Sequence, residues 1–194
     1  MVYNYDMEED TRNLIDEYKG LKNEEVFERL AKKRSDLEVA IENVSHDFNA
    51  GTIVRNANNF NVLRVHIIGR RKYNRRGAMC TDKYLEIVHW STLGEFLEDQ
   101  HKRGREIVAI ENNVLGVLRN DGTEVKCEPL ESKKFIQQTT LVFGSEGEGI
   151  SKELIKECDD VREITSYGST RSVNVGVASG IAMYEWAKQC LNKM

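Results

Sequence analysis

Short apolar segments alternate with helical segments from residue 37 onward, and this alternation limits the possible folds more than any other feature of the chain. Segments 106–110 and 139–143 are almost wholly apolar, which is typical of strands buried on both faces of a parallel sheet. Strands that alternate with helices in this way form α/β domains. We therefore predict an α/β fold with a mostly parallel sheet and helices on both faces.

The apolar spacing predicts the individual elements. Strands are expected at 37–44, 62–68, 85–90, 106–110, 139–143 and 161–165. Helices are expected at 49–60, from a capping box at Thr92 to about 103, briefly from 151, and at 174–191. Helical spacing at 8–34, with a break near Gly20, predicts an N-terminal helical extension. We accordingly divide the chain into an extension, 1–36, and one main domain, 37–194.

Bulk properties exclude several classes of protein. The chain has 194 residues and a net charge of −4, and it shows neither a signal-like apolar run nor a stretch approaching the roughly 18 apolar residues of a membrane span. The cysteines Cys80, Cys127, Cys158 and Cys190 form no C-x-x-C pair, so free thiols are favoured over a zinc site or disulfides. We expect a cytoplasmic protein that uses no metal.

One basic segment stands out from the acidic background. Between Gly69 and Gly77 the chain carries Arg70, Arg71, Lys72, Arg75 and Arg76 around a single tyrosine. A local basic loop can bind phosphates whatever the net charge of the protein. A solvated surface loop is the alternative interpretation of the same residues.

A glycine-rich segment, 143–149, follows the apolar run 139–143. Its three glycines allow a backbone to approach a ligand closely, at the strand end where α/β sheets bind ligands. No Gly-Lys-Ser/Thr follows, and the glycine spacing differs from that of a dinucleotide fingerprint. Two glutamates in the segment favour a cationic ligand over a phosphate. A plain tight turn is the alternative.

Two further polar segments border helices. Segment 165–174 precedes the last helix, where Ser172 or Asn174 is suited to cap the helix and to hold a ligand. The small residues that follow, from Gly176 to Gly180, permit close packing against another segment. Arg55 is expected on an otherwise apolar face of its predicted helix, six positions after Asn49. A surface arginine is the commoner interpretation of such a residue.

Taken together, these three segments resemble the motifs of the SpoU (TrmH-like) branch of the SPOUT RNA methyltransferases. Asn49, Gly51, Ile53, Arg55 and Ala57 fit the first motif, written N-x-G-x-I-x-R-x-A. Gly144, Glu146 and Gly149 fit the second, and Ser172, Asn174, Val175 and Ala178 fit the third. The resemblance covers about residues 35–192.

The resemblance implies a fold, an assembly and a reaction. It implies a C-terminal trefoil knot, a homodimer with the active site at the subunit interface, and methyl transfer from S-adenosylmethionine to a ribose 2′-hydroxyl of RNA. It places the cofactor against Gly144, Ile164 and Val173, and we add the neighbouring Ser145, Gly149 and Ile110. The expected catalytic residues are Arg55, Asn49, Glu146, Ser172 and Asn174, and the basic loop is expected to bind RNA.

Other functions remain open at this point. A non-catalytic RNA-binding module could keep the same fold, and an α/β enzyme for another nucleotide such as NAD is disfavoured because no G-x-G-x-x-G follows the first strand. Segment 30–39 resembles the lead-in of the tRNA D-loop guanosine methyltransferases, whereas we do not expect their C-terminal RNA-binding tail after the last predicted helix. Both tRNA and rRNA therefore stay possible as substrates.

Overall fold

A computed structural model of the chain describes residues 10–43, 49–70, 72–112, 114–145 and 147–191. The helices in these ranges are α1 (Asn23–Ala31), α2 (Asn49–Asn59), α3 (Leu93–Lys102), α4 (Lys152–Glu157) and α5 (Val175–Cys190). The strands are β1 (Glu38–Asn43), β2 (Arg64–Gly69), β3 (Ile87–Trp90), β4 (Glu106–Ile110), β5 (Glu128–Pro129), β6 (Thr139–Phe143) and β7 (Asp160–Glu163). Every strand and helix expected after residue 36 is found within a few residues of its predicted bounds.

The strands form one parallel sheet in the order β3-β2-β1-β6-β4-β7-β5. Strand β1 lies in its interior, where Val39 is paired with Val65 of β2 on one side and Leu141 of the central strand β6 on the other. Because all the pairings are parallel, the carboxyl ends of the strands lie along one edge, where α/β sheets bind ligands.

Helices cover both faces of the sheet, as predicted. Alternate residues of each strand point to opposite faces, and the core divides accordingly. One cluster joins β1 and β6 to α2 and α5 through residues such as Val39, Phe143, Ile53 and Trp186. The other joins the opposite face to α3 and α4 through residues that include Ala40, Val142, Phe96 and Leu154.

Side-chain caps fix where three helices begin. Thr92 and Glu95 form the predicted capping box of α3. Ser151 accepts a hydrogen bond from the backbone N–H of Leu154 at the start of α4. Asn174 Oδ1 accepts hydrogen bonds from the backbone N–H groups of Gly176 and Val177 at the start of α5. Each cap satisfies donors that a helix cannot satisfy internally.

The prediction of a helix over 8–34 is wrong for most of that segment. Residues 8 and 9 lie outside the described ranges, and from residue 10 only α1 and a 3₁₀ turn at Asp16–Tyr18 are helical. The cause is local, because the Asp10 carboxylate accepts hydrogen bonds from Arg12 and from the backbone N–H of Gly20. Gly20 has a positive φ of 78°, so the chain turns back before α1. Tyr18 and Val26 then pack against Tyr84.

Among the described residues, no helix combines the length and the hydropathy that a bilayer crossing requires.

Candidate active site

A cavity of about 410 Å³ opens at the carboxyl edge of the sheet. It lies between the end of β4, the glycine-rich loop after β6, and the polar loop that enters α5. Its described lining residues are Ile110, Glu111, Asn112, Gly144, Ser145, Gly147, Gly149, Ser172, Val173, Asn174, Val175 and Ala178. We call this space the edge cavity. Its size falls within the range of about 300–1,000 Å³ typical of small-molecule sites.

Two glycines allow the backbone of the glycine-rich loop to fold on itself. Ser145 and Gly149 exchange backbone hydrogen bonds of 3.3 and 3.0 Å. A Cβ on Gly144 would lie 2.0 Å from the carbonyl carbon of Gly149, which no side chain can occupy. Gly149 has a positive φ of 68°, and a Cβ there would lie 2.5 Å from Glu111 Oε2. The second motif therefore requires glycine at both positions for structural reasons.

Glu111 and Asn112 are part of the site, although the sequence motifs did not include them. Glu111 Oε2 accepts a hydrogen bond of 3.0 Å from the backbone N–H of Ile150, which ties the end of β4 to the glycine-rich loop. Asn112 Nδ2 donates to the carbonyl oxygens of Ile164 and Arg171, at 3.0 and 3.2 Å. The two side chains thus hold both loops that wall the edge cavity.

The first and third motifs meet at the amino end of α5. Asn174 Nδ2 donates a hydrogen bond of 2.9 Å to Asn49 Oδ1, while Asn174 Oδ1 caps α5. Asn49 is buried and lies at the start of α2. Ser172 and Val173 line the edge cavity beside this pair and are exposed to it.

Close packing between α2 and α5 fixes this meeting point. Asn56 Nδ2 donates to the carbonyl oxygen of Gly176 at 2.8 Å and to Ser179 Oγ at 2.9 Å. A Cβ on Gly176 would lie 2.8 Å from Thr52 Cγ2, so a larger residue would push the helices apart. The small residues expected to permit close packing do so here.

Arg55 lies away from the edge cavity. It is exposed on α2, whereas its neighbours Ile53 and Ala57 are buried, so it does not share the apolar face of the helix. It lines a separate cavity of about 420 Å³, between α2 and the N-terminal segment. Within the described part of the chain, the Arg55 guanidinium makes no hydrogen bond or ion pair.

The remaining expected site residues divide into three groups. Ile110, Gly144, Ser145, Gly149 and Val173, which were predicted to contact the cofactor, all line the edge cavity. Ile164 does not line it and is connected to it through Asn112. Glu146 and Arg71 lie outside the described residues.

The basic loop begins at the end of β2, on the same edge of the sheet as the edge cavity. Arg70, Lys72, Arg75 and Arg76 are all exposed there. Arg75 pairs with Asp82, and Asn74 accepts a hydrogen bond from the backbone N–H of Arg76. The loop packs closely on α2 because Gly51 has no side chain: a Cβ there would lie 2.5 Å from the carbonyl oxygen of Asn74. Gly51 therefore positions the basic loop.

A buried charged cluster lies at the opposite, amino edge of the sheet. Glu38 accepts hydrogen bonds from Arg103 at 2.7 and 2.6 Å and pairs with His66 Nε2 at 2.8 Å. Burial raises the pKa of Glu38, but the hydrogen bonds from Arg103 and His66 outweigh it and lower the pKa to about 2. Burial lowers the pKa of His66, against the opposing attraction of Glu38. Because this cluster lies at the opposite edge of the sheet from the three sequence motifs, we assign it a structural role.

Over the residues that the structure describes, no group of three or more His, Cys, Asp or Glu side chains is arranged to hold a metal ion.

Comparison with known proteins identifies relatives. Residues 36–184 match the model of the SpoU rRNA Methylase family. The tRNA (guanosine(18)-2′-O)-methyltransferase of Escherichia coli K12 is 26% identical over 172 residues, 86% of this chain and 69% of that protein. The enzyme of the same name from Aquifex aeolicus is 30% identical over 168 residues, covering 84% and 74%. The crystal structure of the A. aeolicus TrmH/SpoU tRNA modifying enzyme superposes with a TM-score of 0.70 at 28% identity, covering 86% of this chain and 83% of that one.

Proposed function

This chain belongs to the SpoU rRNA methylase family, and from that premise we propose that it transfers a methyl group from S-adenosylmethionine to a ribose 2′-hydroxyl of tRNA or rRNA. The observation that carries the proposal is the convergence of three distant segments at one cavity. Asn174 caps α5, bonds to Asn49, and shares the lining of the edge cavity with Gly144 and Gly149.

The chemistry of the edge cavity fits this cofactor. S-adenosylmethionine would supply an electrophilic methyl group on a cationic sulfur. Among the described lining residues Glu111 is the only charged one, and no lysine or arginine is present. A carboxylate attracts a cation, whereas the phosphates of NAD or ATP would meet no positive charge there. The backbone at Gly144 and Ser145 and the side chains of Asn112 and Ser172 would hold and orient the cofactor.

Arg55 is proposed to stabilise the attacking oxygen. A ribose hydroxyl is a poor nucleophile, and negative charge develops on it as its proton passes to solvent. The oxygen would then bond to the methyl carbon while the bond from that carbon to the cationic sulfur breaks, so the neutral thioether leaves. The pKa of a guanidinium is above about 12, so Arg55 is unsuited to remove the proton. Its fixed positive charge is suited to clamp the developing alkoxide and the adjacent phosphate. Its exposed side chain, without an internal partner among the described residues, leaves it available for this role.

We further propose that two copies of the chain form each active site. Arg55 lies outside the edge cavity of its own chain. S-adenosylmethionine in the edge cavity and the Arg55 guanidinium are therefore brought together only if a second copy docks on the first. Helix α5 offers a surface for this, because Val177, Ile181 and Tyr184 form an exposed apolar stripe at helical spacing. Ala178, on the same helix, lines the edge cavity. In the homodimer, Arg55 of the partner subunit would face the edge cavity.

The basic loop is proposed to bind the RNA backbone. It emerges at the same edge of the sheet as the edge cavity, and Arg70, Lys72, Arg75 and Arg76 are exposed. Exposed arginines and lysines gain affinity for phosphates by releasing counterions. Arg71 is assigned to the same surface from its place in the sequence alone.

Family membership supports three further proposals. These are the C-terminal trefoil knot, the division into an extension at 1–36 and a methyltransferase domain at 37–194, and a cytoplasmic location. The two tRNA (guanosine(18)-2′-O)-methyltransferases of E. coli and A. aeolicus favour tRNA over rRNA as the substrate.

Transfer of labelled methyl from S-adenosylmethionine to total RNA, fractionated into tRNA and rRNA, tests the proposed function. We expect label in one RNA fraction, and we expect excess NAD or ATP not to compete. Cofactor binding without transfer to any fraction would favour the non-catalytic RNA-binding module. Competition by NAD would contradict the assignment of the edge cavity.

A further inference from the structure

The second cavity, which contains Arg55, has an unusual lining. It lies between α2 and the N-terminal segment, and its volume is about 420 Å³. The described residues around it are Asn13, Leu14, Ile15, Tyr18, Leu30, Arg55, Asn56, Asn58, Asn59, Asn61, Thr81 and Tyr84. Five of these are asparagines, Arg55 is the only charged residue, and no acid is among them. We call this space the asparagine cavity.

The asparagines of the cavity differ in what their side chains do. Asn56 is committed to α5 through its bonds to Gly176 and Ser179, and Asn61 Nδ2 donates to the carbonyl oxygen of Leu30. By contrast, Asn58 Oδ1 is buried and accepts no hydrogen bond. Asn59 is exposed, and its side chain makes no hydrogen bond within the described ranges. Burying an amide oxygen without a donor costs free energy, so a rotation of the Asn58 side chain that brings this oxygen to a ligand donor in the cavity would be favourable.

Helical geometry places the available groups together. Arg55, Asn58 and Asn59 stand at positions i, i+3 and i+4 of α2, which lie on one face of a helix. A ligand bound by the Arg55 guanidinium would therefore lie beside the side-chain amides of Asn58 and Asn59. The opposite wall is apolar and aromatic, formed by Leu14, Leu30 and the tyrosines of the N-terminal packing cluster.

We infer that the asparagine cavity receives the unstacked base of the nucleotide whose ribose is methylated. The inference rests on the proposed function, because it takes Arg55 as the residue that contacts the ribose. A base edge carries neighbouring donors and acceptors, which an asparagine amide matches with its own N–H₂ and C=O. Bases of single-stranded RNA are recognised in this way, with apolar or aromatic side chains against their faces.

Other ligand classes fit the lining less well. A phosphate or a carboxylate would meet a single arginine, while the neutral amides of Asn58 and Asn59 would be left unused. A cationic ligand would meet no acid at all. A neutral, flat group with several hydrogen-bonding edges, attached to an anionic backbone near Arg55, matches both parts of the lining.

The test compares base preference at the methylated nucleotide. Once labelled transfer has located that nucleotide, transcripts that differ only in its base are methylated by the wild-type protein, by the double variant Asn58→Ala/Asn59→Ala, and by Asn120→Ala. Asn120 is an exposed asparagine outside the cavity and serves as the matched control. Calorimetry with S-adenosylmethionine and thermal unfolding establish that each variant is folded.

We expect the wild type and Asn120→Ala to prefer one base by about tenfold or more in kcat/KM, as for a good amide–base pair. We expect the double variant to lose most of that preference and to show a raised KM for RNA. Should it fail to fold, Asn59→Ala alone, at an exposed position, replaces it. If the variants kept the base preference of the wild type, or if the wild type showed no base preference, the inference would be overturned while the proposed function would stand. Absence of methyl transfer by the wild type would instead overturn the proposed function.

Discussion

The side chains of Asn174 and Asn49, 125 residues apart in the chain, are joined by a hydrogen bond of 2.9 Å from Nδ2 to Oδ1. The same Asn174 caps α5 with its Oδ1 atom. The Asn174 side chain therefore fixes the first residue of α5, and it also holds the start of α2 next to the start of α5. The edge cavity is walled by the segment that this bond holds in place.

Replacing Asn174 tests this coupling. Asn174→Ala removes an N-cap, which costs about 0.5–2 kcal/mol of stability, and also removes the hydrogen bond to Asn49. We expect lower thermal stability together with weaker S-adenosylmethionine binding, measured by calorimetry. Thr92→Ala is the matched control because it removes the cap of α3, away from the cavity. Equal cofactor affinity in the two variants would contradict the role of Asn174 in the site.

Replacing Arg55 tests the clamp. We expect Arg55→Ala to lower single-turnover methyl transfer by about a hundredfold to a thousandfold, the usual loss on removing one donor to a developing oxyanion. S-adenosylmethionine affinity should be unchanged, because Arg55 lies outside the edge cavity of its own chain and the partner subunit's Arg55 is proposed to contact the ribose oxygen and phosphate, not the cofactor. Arg29→Ala, which removes an exposed arginine of α1, should behave as wild type. An equal loss of cofactor affinity in Arg55→Ala would refute this role.

The shared active site predicts that activity depends on dimerisation through α5. Ile181→Arg places a charge in the exposed apolar stripe, and we expect it to yield folded, inactive monomers by light scattering and activity assay. Leu115→Arg makes the same change at a position that is 82% exposed and outside the stripe, and it should remain dimeric and active. An active monomer would contradict the two-chain site.

The basic loop predicts a specific salt dependence of RNA binding. Arg76→Glu alters an exposed arginine that has no ion pair within the described ranges, whereas Arg75 is paired with Asp82. We expect weaker binding and a slope of log K against log salt that is shallower by about 1 or more. Lys134→Glu reverses an exposed charge elsewhere and should leave the slope unchanged. An unaltered slope for Arg76→Glu would contradict the proposal that the basic loop binds RNA.

The buried cluster at the amino edge predicts loss of stability in acid. Trp90 Nε1 donates to His66 Nδ1, so Nε2 carries the proton and donates to Glu38. Because the pKa of His66 is lowered from 6.5, the unfolded chain binds a proton before the folded one, and stability falls as the pH drops below that value. The pKa of Glu38, lowered from 4.5 to about 2, extends the loss to more acidic pH.

Urea unfolding between pH 8 and pH 5 checks this prediction. The free energy of unfolding of the wild type should decrease below about pH 6.5. His66→Gln should be less stable throughout but flatter over this range, since the titrating group is gone. His101→Gln removes an exposed histidine and should keep the wild-type slope. Equal slopes in wild type and His66→Gln would exclude His66 as the source.

Much of the main domain was predictable because its signals are local. Buried strands such as Thr139–Phe143 and caps such as Thr92 are determined by residues that are adjacent in the sequence. Strand β5 was missed because Glu128–Pro129 has only two residues, one of them a proline. The predicted N-terminal helix was too long because apolar spacing does not reveal the hydrogen bonds that Asp10 accepts from Arg12 and from the backbone N–H of Gly20.

The site was less predictable where it depends on distant partners. Glu111 and Asn112 follow a predicted strand, and their polarity at that point was the available signal. Their role follows from contacts with Ile150 and Ile164, which only the fold brings near. The surroundings of Arg55 were equally hidden, because its cavity is completed by the N-terminal segment.

The most direct test of the account is to locate the transferred methyl group within the RNA. RNA labelled from S-adenosylmethionine is hydrolysed in alkali, which cleaves beside every free 2′-hydroxyl. We predict that the label appears in an alkali-resistant dinucleotide, because the methylated ribose can no longer assist cleavage. Label found only in mononucleotides would place the methyl group on a base and contradict ribose methylation.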